Sequence, residues 1–180
     1  MEIRIEHGTD EDLDVIEQLY NDLLDVLETG MNYPGWKRGI YPTRKDALTG
    51  IVENSLFVAR SGDSIVGAFI LNHKPENGYD NAKWLYGGDY SLILVVHTLV
   101  VHPAFMNRGI GLQLLRFAEK WGKQNGMKAI RLDVYENNVP AIALYERCGY
   151  QYIQSIDLGF GHYGLDLFKL YEKLLSDVAD

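Results

Sequence analysis

The chain has 180 residues, with 17 Lys and Arg against 25 Asp and Glu, and a formal net charge of −8. Its apolar fraction of 47% and its charged fraction of 23% are ordinary for globular proteins and exclude wholesale disorder. The negative charge argues against a nucleic-acid binder, because an acidic surface repels a phosphate backbone. We expect one domain over residues 1–175, followed by a frayed end at 176–180.

The first half of the chain predicts a strand, two helices and a β-hairpin. After a short alternating segment, a capping box at Thr9 opens an amphipathic helix whose apolar residues continue at helical spacing to Leu27. A second capping box, at Thr43, begins a shorter helix. Strand-like runs at Leu56–Ala59 and Ile65–Leu71 flank a Ser-Gly-Asp turn, which is typical of a hairpin.

The first predicted helix is acidic and carries no Lys or Arg between its acids. These side chains form either a solvated helix face or part of an electronegative cleft for an acceptor. Its acids are Glu11, Asp12, Asp14, Glu17, Asp22, Asp25 and Glu28. The following segment, 30–42, is rich in Gly, Pro and aromatic residues and predicts an ordered loop. A polar stretch at Lys74–Asp89 is expected to be an exposed excursion.

The second half predicts strands that alternate with helices. Leu92–Val101 is too continuously apolar for a strand with one wet face, so we expect a central strand. A helix over 109–124 and one capped by Asn137 or Asn138 follow it. Further strands are expected at 129–135, 150–156 and 168–174. An early hairpin followed by alternating elements predicts an α/β (α+β) protein with a mixed sheet flanked by helices.

The most informative segment joins the central strand to the next helix through a glycine-bearing turn. Successive backbone N–H groups at a helix N-terminus can hold a pyrophosphate, and glycines let phosphates approach the backbone closely. Leu114 stands where a Rossmann fingerprint needs glycine, and no Gly-Lys-Ser/Thr follows, so both rival motifs are excluded. An ordinary strand-to-helix turn remains the alternative from the glycines alone. The turn consists of Met106, Asn107, Arg108, Gly109, Ile110 and Gly111.

A second motif is similar to the pattern Asn-x-x-Ala-x-x-x-Tyr-x-x-x-Gly-Phe/Tyr. Its members are Asn137, Ala141, Tyr145, Gly149 and Tyr150. Together with the glycine turn, it resembles the GNAT superfamily of N-acetyltransferases. The resemblance covers residues 97–150 in motif detail and the whole chain in element order. One departure is Met106, which stands where the superfamily usually has Arg or Gln, so a side-chain contact to phosphate is lost or moves to Arg108.

The resemblance implies an acyl-CoA N-acyltransferase fold, with a mixed, mostly antiparallel central sheet whose fourth and fifth strands splay apart. Acetyl-CoA is the implied co-substrate, with its pantetheine arm between those strands. Backbone groups of Leu99, Val100 and Val101 would bind the arm, and residues 106–111 the pyrophosphate. Asn137, Ala141 and Tyr145 would complete the cofactor site.

The implied reaction is direct attack of a primary amine on the acetyl thioester in a ternary complex, without an acyl-enzyme. Such a reaction needs a neutral amine, a donor for the oxyanion and a proton for the leaving thiolate. By resemblance, Tyr145 supplies that proton and a backbone N–H near Leu99 serves the oxyanion; Tyr145 could also be a packing aromatic. His97 is the candidate base or a structural histidine, with Asp89 and Tyr135 as weaker candidates.

By resemblance, Tyr33, Trp36, Tyr41 and Tyr163 would line the acceptor pocket, although loop anchoring would also explain these aromatics. The acceptor is a small-molecule or peptide amine that the sequence does not identify, and a homodimer is compatible with the superfamily. The alternative function is a catalytically weak acetyl-CoA-binding sensor on the same fold.

Several other features exclude further classes of protein. The five histidines lack metal-ligand spacing, and the single cysteine, Cys148, excludes a disulfide framework and a cysteine-built zinc site. His102, beside Pro103, is expected to be structural or solvent-facing. No run approaches the roughly 18 apolar residues of a membrane span, and no signal-peptide pattern opens the chain. We therefore expect a cytoplasmic protein without metal or membrane partners.

Overall fold

The structure is a computed structural model that describes residues 2–175, so the frayed end predicted at 176–180 lies outside the described residues. Its strands are β1 (Arg4–His7), β2 (Leu56–Ser61), β3 (Ser64–Asn72), β4 (Ile93–Val101), β5 (Ala129–Tyr135), β6 (Gln151–Ile156) and β7 (Phe168–Leu174). Its α-helices are α1 (Leu13–Thr29), α2 (Arg44–Val52), α3 (Ile110–Gln124) and α4 (Val139–Arg147).

The seven strands of this described part form one mixed sheet with the order β1-β2-β3-β4-β5-β7-β6. Strands β4 and β5 are parallel, whereas the β1–β2, β2–β3, β5–β7 and β6–β7 pairs are antiparallel. The predicted fold class is therefore confirmed. The β4–β5 ladder pairs only Ile93–Val95 with Ala129–Arg131, at the start of both strands.

The chain divides into two compact units. The first contains the chain up to Asn32, then Trp36–Leu71 and His97–Phe117. The second contains Tyr33–Gly35, Asn72–Val96 and the chain from Ala118 onward.

The core of the first unit is built by the buried face of α1 on the sheet. Ile16, Leu19 and Leu24 are at most 2% exposed and belong to one apolar cluster with Leu56 and Val100. Burying each such side chain contributes about 1.5–3 kcal/mol. The predicted capping boxes form at both helices: the Asp46 carboxylate accepts the Thr43 N–H at 2.7 Å, and Asp12 does the same for Thr9 at 2.9 Å.

Gly67 of β3 permits a close approach beneath the start of α3. A Cβ at this position would lie 3.0 Å from both the Val100 carbonyl oxygen and Ile110 Cγ2. Because only glycine fits without displacing these atoms, Gly67 sets how near the first turn of α3 lies to β3 and β4.

The second unit contains an unforeseen buried polar centre on β5 and β7. Arg131 and Glu172 are 2% and 0% exposed, and Arg131 Nε lies 2.8 Å from Glu172 Oε1. Glu172 Oε2 also accepts the Leu85 N–H at 2.6 Å. Tyr79 is fully buried and donates its hydroxyl to Asp133 at 2.8 Å. The prediction of an exposed excursion at 74–89 is therefore wrong in part, because its aromatic and backbone groups bind this centre.

Candidate active site

The end of β4 presents backbone donors at one edge. The His102 N–H donates to the Val66 carbonyl on β3 at 2.9 Å. Successive N–H groups of a strand point to alternate edges. The N–H groups of Val101 and Leu99, one and three residues before His102, are therefore directed away from β3. These donors lie beyond Val95, where the parallel ladder ends.

Thr98 interrupts the regular backbone of this strand. Its φ is 50°, in the left-handed region, and the residue is 5% exposed. A β-branched residue with positive φ is a true outlier, because its Cβ crowds the following carbonyl. The sequence gives no signal for it, since threonine in an apolar run is typical of an ordinary strand.

The glycine turn forms an exposed cradle of N–H groups. Asn107 and Gly109 have φ of 61° and 79°, and a Cβ added at Gly109 would meet nothing within 4 Å. The first bond into α3 joins the Gln113 N–H to the Gly109 carbonyl at 3.1 Å. The N–H groups of Ile110, Gly111 and Leu112 therefore precede the intrahelical bonds. Free donors, a glycine with open space and the helix dipole fit a pyrophosphate.

Side chains of the turn add little to the cradle. Met106 is 39% exposed, and the Arg108 guanidinium lies over the Phe105 ring, with its Cζ 5.0 Å from the ring centroid. This cation–π contact with Phe105 holds the positive charge of Arg108 beside the turn. The missing Arg or Gln at position 106 thus leaves a backbone cradle with one neighbouring positive charge.

His102 has a structural role at the start of this turn. Its Nδ1 accepts the Ala104 N–H at 3.1 Å, and its Nε2 lies 3.2 Å from Asp22 Oδ2. A neutral imidazole with Nδ1 as acceptor carries its proton on Nε2, which it donates to the Asp22 carboxylate. The ring therefore caps a short turn and ties it to α1, in agreement with the prediction.

The three candidate bases differ in their surroundings, and the first of them is His97. It is half-buried in β4, directly before Thr98. Asp89 is exposed, and hydrogen bonds from the Ser91 side chain and from the Ser91 N–H at 2.8 Å lower the pKa of its carboxyl, which weakens it as a base. Tyr135 donates its hydroxyl to the Gly164 carbonyl at 3.3 Å.

Tyr145 of α4 is packed among aromatic rings and retains its proton. It is 8% exposed, with ring centroids 6.1 Å from Tyr150 and 6.3 Å from Tyr171. Burial raises the pKa of its phenol well above the ordinary value, and the charge of Asp133 adds to this effect. The phenol is therefore neutral at physiological pH and can donate a proton but cannot serve as a base.

The two asparagines before α4 have different roles. Asn138 caps the helix, since its Oδ1 accepts the Ala141 N–H at 3.4 Å. Asn137 is exposed and donates its amide to the Tyr135 hydroxyl at 2.9 Å. The cap prediction is thus resolved for Asn138, which leaves Asn137 at the surface.

The aromatic loop after α1 is ordered by specific contacts. The Trp36 and Tyr41 rings meet edge to face, with centroids 5.5 Å apart. Asn32 donates its amide to the Trp36 carbonyl at 2.8 Å, and the Tyr41 and Thr98 hydroxyls are hydrogen-bonded. The loop therefore reaches β4 directly, beside His97.

The acids of α1 are largely neutralised by arginines. Asp14 and Glu17 each lie 2.6 Å from Arg44. Arg38 of the aromatic loop contacts Asp25 at 2.5 Å and Glu28 at 3.0 Å, and bonds Asn21 at 3.0 Å. These pairs favour the solvated-face interpretation over an electronegative acceptor cleft, and they attach the aromatic loop to α1.

The predicted site residues fall into two groups. The first unit brings together Trp36, Tyr41, His97, Leu99, Val100, Val101 and residues 106–111, and the second contains Tyr33, Asn137, Ala141, Tyr145 and Tyr163. Tyr163 is half-buried, with its ring centroid 3.9 Å from that of His162, whereas Tyr33 is 40% exposed. Thr98, which the sequence did not single out, joins the first group.

Comparison with known proteins identifies the family. The model of the Acetyltransferase (GNAT) family matches residues 16–150, three quarters of the chain. The chain belongs to the GNAT family. A streptothricin acetyltransferase from Escherichia coli is 27% identical over 140 residues, covering 78% of this chain and 73% of that one. An uncharacterised N-acetyltransferase from Methanocaldococcus jannaschii is longer, and this GNAT chain spans 57% of it.

Solved structures agree on the fold. A GNAT-family acetyltransferase from Streptococcus agalactiae superposes with a TM-score of 0.77 at 22% identity, covering 97% of this chain and 96% of that one. A Salmonella typhimurium protein solved with its cofactor acetyl-CoA gives a TM-score of 0.68 at 13% identity, covering 99% and 96%.

Two further observations concern metals and membranes. Within residues 2–175, no group of three or more His, Cys, Asp or Glu side chains has the geometry to hold a metal ion. Over the same residues, none of the helices combines the length and the apolar character that crossing a membrane requires.

Proposed function

We propose that this GNAT protein transfers the acetyl group of acetyl-CoA to a primary amine by direct attack in a ternary complex. The observation that carries the proposal is the turn at the start of α3, where Asn107 and Gly109 have positive φ and the N–H groups of residues 110–112 precede the first intrahelical bond. A cradle for phosphate beside a strand edge with free donors suits a ligand that combines a pyrophosphate with a chain of amides.

The residues that would hold acetyl-CoA are backbone groups for the most part. Residues 106–111 would bind the pyrophosphate, and Leu99, Val100 and Val101 the pantetheine amides. Asn137, Ala141 and Tyr145 would complete the site from α4 and the turn before it. When bound, acetyl-CoA supplies a thioester whose carbonyl carbon an amine can attack.

Each proposed role uses a different property of the chain. The Leu99 N–H would stabilise negative charge that develops on the carbonyl oxygen, because a fixed donor needs no reorganisation. His97 would accept the proton of the attacking amine, directly or through water. Tyr145 would donate a proton to the departing sulfur, and its raised pKa supports this role because the phenol holds its proton at neutral pH.

The proposed acceptor is a primary amine. The residues proposed to line its pocket are Trp36, Tyr41, Tyr33 and Tyr163. The similar streptothricin acetyltransferase makes streptothricin the first acceptor to test. Polyamines, aminoglycosides, amino acids and peptides complete a panel, since family membership does not fix the acceptor.

The deciding experiment measures release of free CoA from acetyl-CoA with each amine of the panel. Tyr145→Phe should lower kcat about 100-fold or more, the usual range for loss of a general acid, while the acetyl-CoA Kd stays within about twofold. Tyr152→Phe on β6 is the matched control, because Tyr152 is 52% exposed and its hydroxyl shares a hydrogen bond with Ser155 at 3.0 Å.

Two outcomes would contradict the proposal. Acetyl-CoA that raises the Tm without CoA release from any amine would favour a sensor on the same fold. If acetyl-CoA leaves the Tm unchanged, the protein does not bind it, because a ligand of the native state must stabilise that state by mass action.

A further inference from the structure

Thr98 holds a backbone conformation that its own chemistry disfavours. Its φ of 50° places a β-branched side chain in the left-handed region, in the middle of β4. Such conformations persist only where the surrounding structure determines them. Because Thr98 is 5% exposed, its hydroxyl also needs a hydrogen-bond partner inside the protein.

The Tyr41 hydroxyl is that partner. Tyr41 and Thr98 are 57 residues apart in sequence, and their hydroxyls are hydrogen-bonded to each other. Tyr41 is itself held from two directions, because its ring meets Trp36 edge to face and its N–H donates to the Lys37 carbonyl at 3.0 Å. A firmly held phenol can therefore fix the orientation of Thr98.

The residue that follows Thr98 carries the proposed oxyanion donor. A change in the Thr98 dihedral angles rotates the next peptide group and with it the direction of the Leu99 N–H. The His102 N–H binds β3, and the alternation of N–H groups along a strand directs the Leu99 N–H away from β3. The left-handed residue is thus the point at which the direction of this donor is set.

We propose that Tyr41 is a positioning residue: its hydroxyl, bonded to Thr98 Oγ1, maintains the left-handed bend of β4 that aims the Leu99 N–H. The inference rests on the proposed acetyl transfer and gives Tyr41 a role distinct from lining the acceptor pocket. It also couples the aromatic loop to the strand, so that a disturbance of the loop reaches the oxyanion donor.

The direct test observes the Leu99 amide in the protein without ligand. In ¹⁵N-labelled protein, Tyr41→Phe and Thr98→Val should each shift the Leu99 amide resonance and change its hydrogen-exchange rate about 3- to 10-fold, the range that corresponds to one neutral hydrogen bond. Thr98→Ser keeps the hydroxyl and should restore most of the wild-type signal. Tyr152→Phe, a distant Tyr→Phe control on β6, should leave the Leu99 amide unchanged.

Glycine at position 98 separates positioning from substrate contact. Thr98→Gly accepts a positive φ without help from Tyr41. Tyr41→Phe should therefore lower kcat about 3- to 10-fold in the wild-type background but less than about twofold in the Thr98→Gly background. In both backgrounds the acetyl-CoA Kd should stay constant.

Each opposite result overturns the inference. An unchanged Leu99 amide in Tyr41→Phe shows that the hydroxyl does not hold the bend. A Tyr41→Phe effect on the acceptor KM that persists in the Thr98→Gly background shows direct acceptor contact instead. The amide measurement needs no turnover, so a failure of the proposed acetyl transfer would leave it interpretable, and the two failures are distinguishable.

Discussion

Replacing Glu172 with Gln should destabilise the protein more than any change at a surface ion pair. Glutamine preserves the shape of the side chain but removes the charge that balances Arg131, which is 2% exposed. Breaking a buried pair from one side costs about 3–5 kcal/mol, because the remaining charge stays buried without its counter-ion. Two more bonds change as well, since Glu172 Oε2 accepts the N–H groups of Leu85 at 2.6 Å and Tyr86 at 3.2 Å.

The size of this effect is readily measured. For a protein of this length, about 1 kcal/mol shifts the Tm by roughly 2–4 °C, so Glu172→Gln should lower it by about 6–20 °C. Urea unfolding followed by circular dichroism gives the free energy directly. Glu17→Gln is the matched control, because its pair with Arg44 has side-chain exposures of 41% and 43%, and such solvent-exposed pairs contribute little to stability.

A double variant tests the cause as well as the size. Adding Arg131→Met to Glu172→Gln removes the uncompensated charge, so the two effects should fall short of additivity by about 0.5–3 kcal/mol. The reasoning fails if Glu172→Gln costs less than about 1 kcal/mol, like the surface control, or if the two changes are simply additive.

Three further predictions concern single side chains. Gly109→Ala should reduce the increase in Tm that acetyl-CoA produces. Gly126→Ala is its control, because the two glycines have similar φ values of 79° and 75° and open space around the added Cβ. This control should destabilise the protein without affecting the increase in Tm. Burial alone would raise the pKa of the Asp12 carboxyl, but hydrogen bonds from Arg60 and Thr9 hold that pKa below the ordinary value of 3.8. The ionised carboxylate therefore stabilises the folded protein above pH 3.8, and this contribution is lost as the pH falls through the lower pKa of the folded state. Asp12→Asn should thus be less stable than wild type near pH 7, and urea melts should show the difference shrinking as the pH falls below 3.8. Tyr20→Phe should leave stability unchanged or raise it by up to about 1 kcal/mol, because the buried Tyr20 hydroxyl has no partner among the described residues.

Features encoded over short distances in sequence were predictable. The capping box at Thr43 needs only Asp46, three residues on, and the cradle at 106–111 is one continuous segment. The buried Arg131–Glu172 pair joins residues 41 apart, and nothing near either residue specifies the other. The left-handed Thr98 is similar, because its partner Tyr41 lies 57 residues away. Local sequence patterns therefore predict the helices, strands and motifs, whereas they do not predict polar contacts between residues that are distant in sequence.

The net charge of −8 does not oppose binding of a polyanion at the cradle. At physiological salt, charges beyond about 8 Å are largely screened, so the local field decides. Backbone N–H groups at a helix start provide partial positive charge that adds nothing to the formal count, and Arg108 lies beside them. Meanwhile the acids of α1 pair with Arg38 and Arg44. An acidic chain can therefore bind phosphate through its backbone, provided that its carboxylates are held elsewhere by arginines.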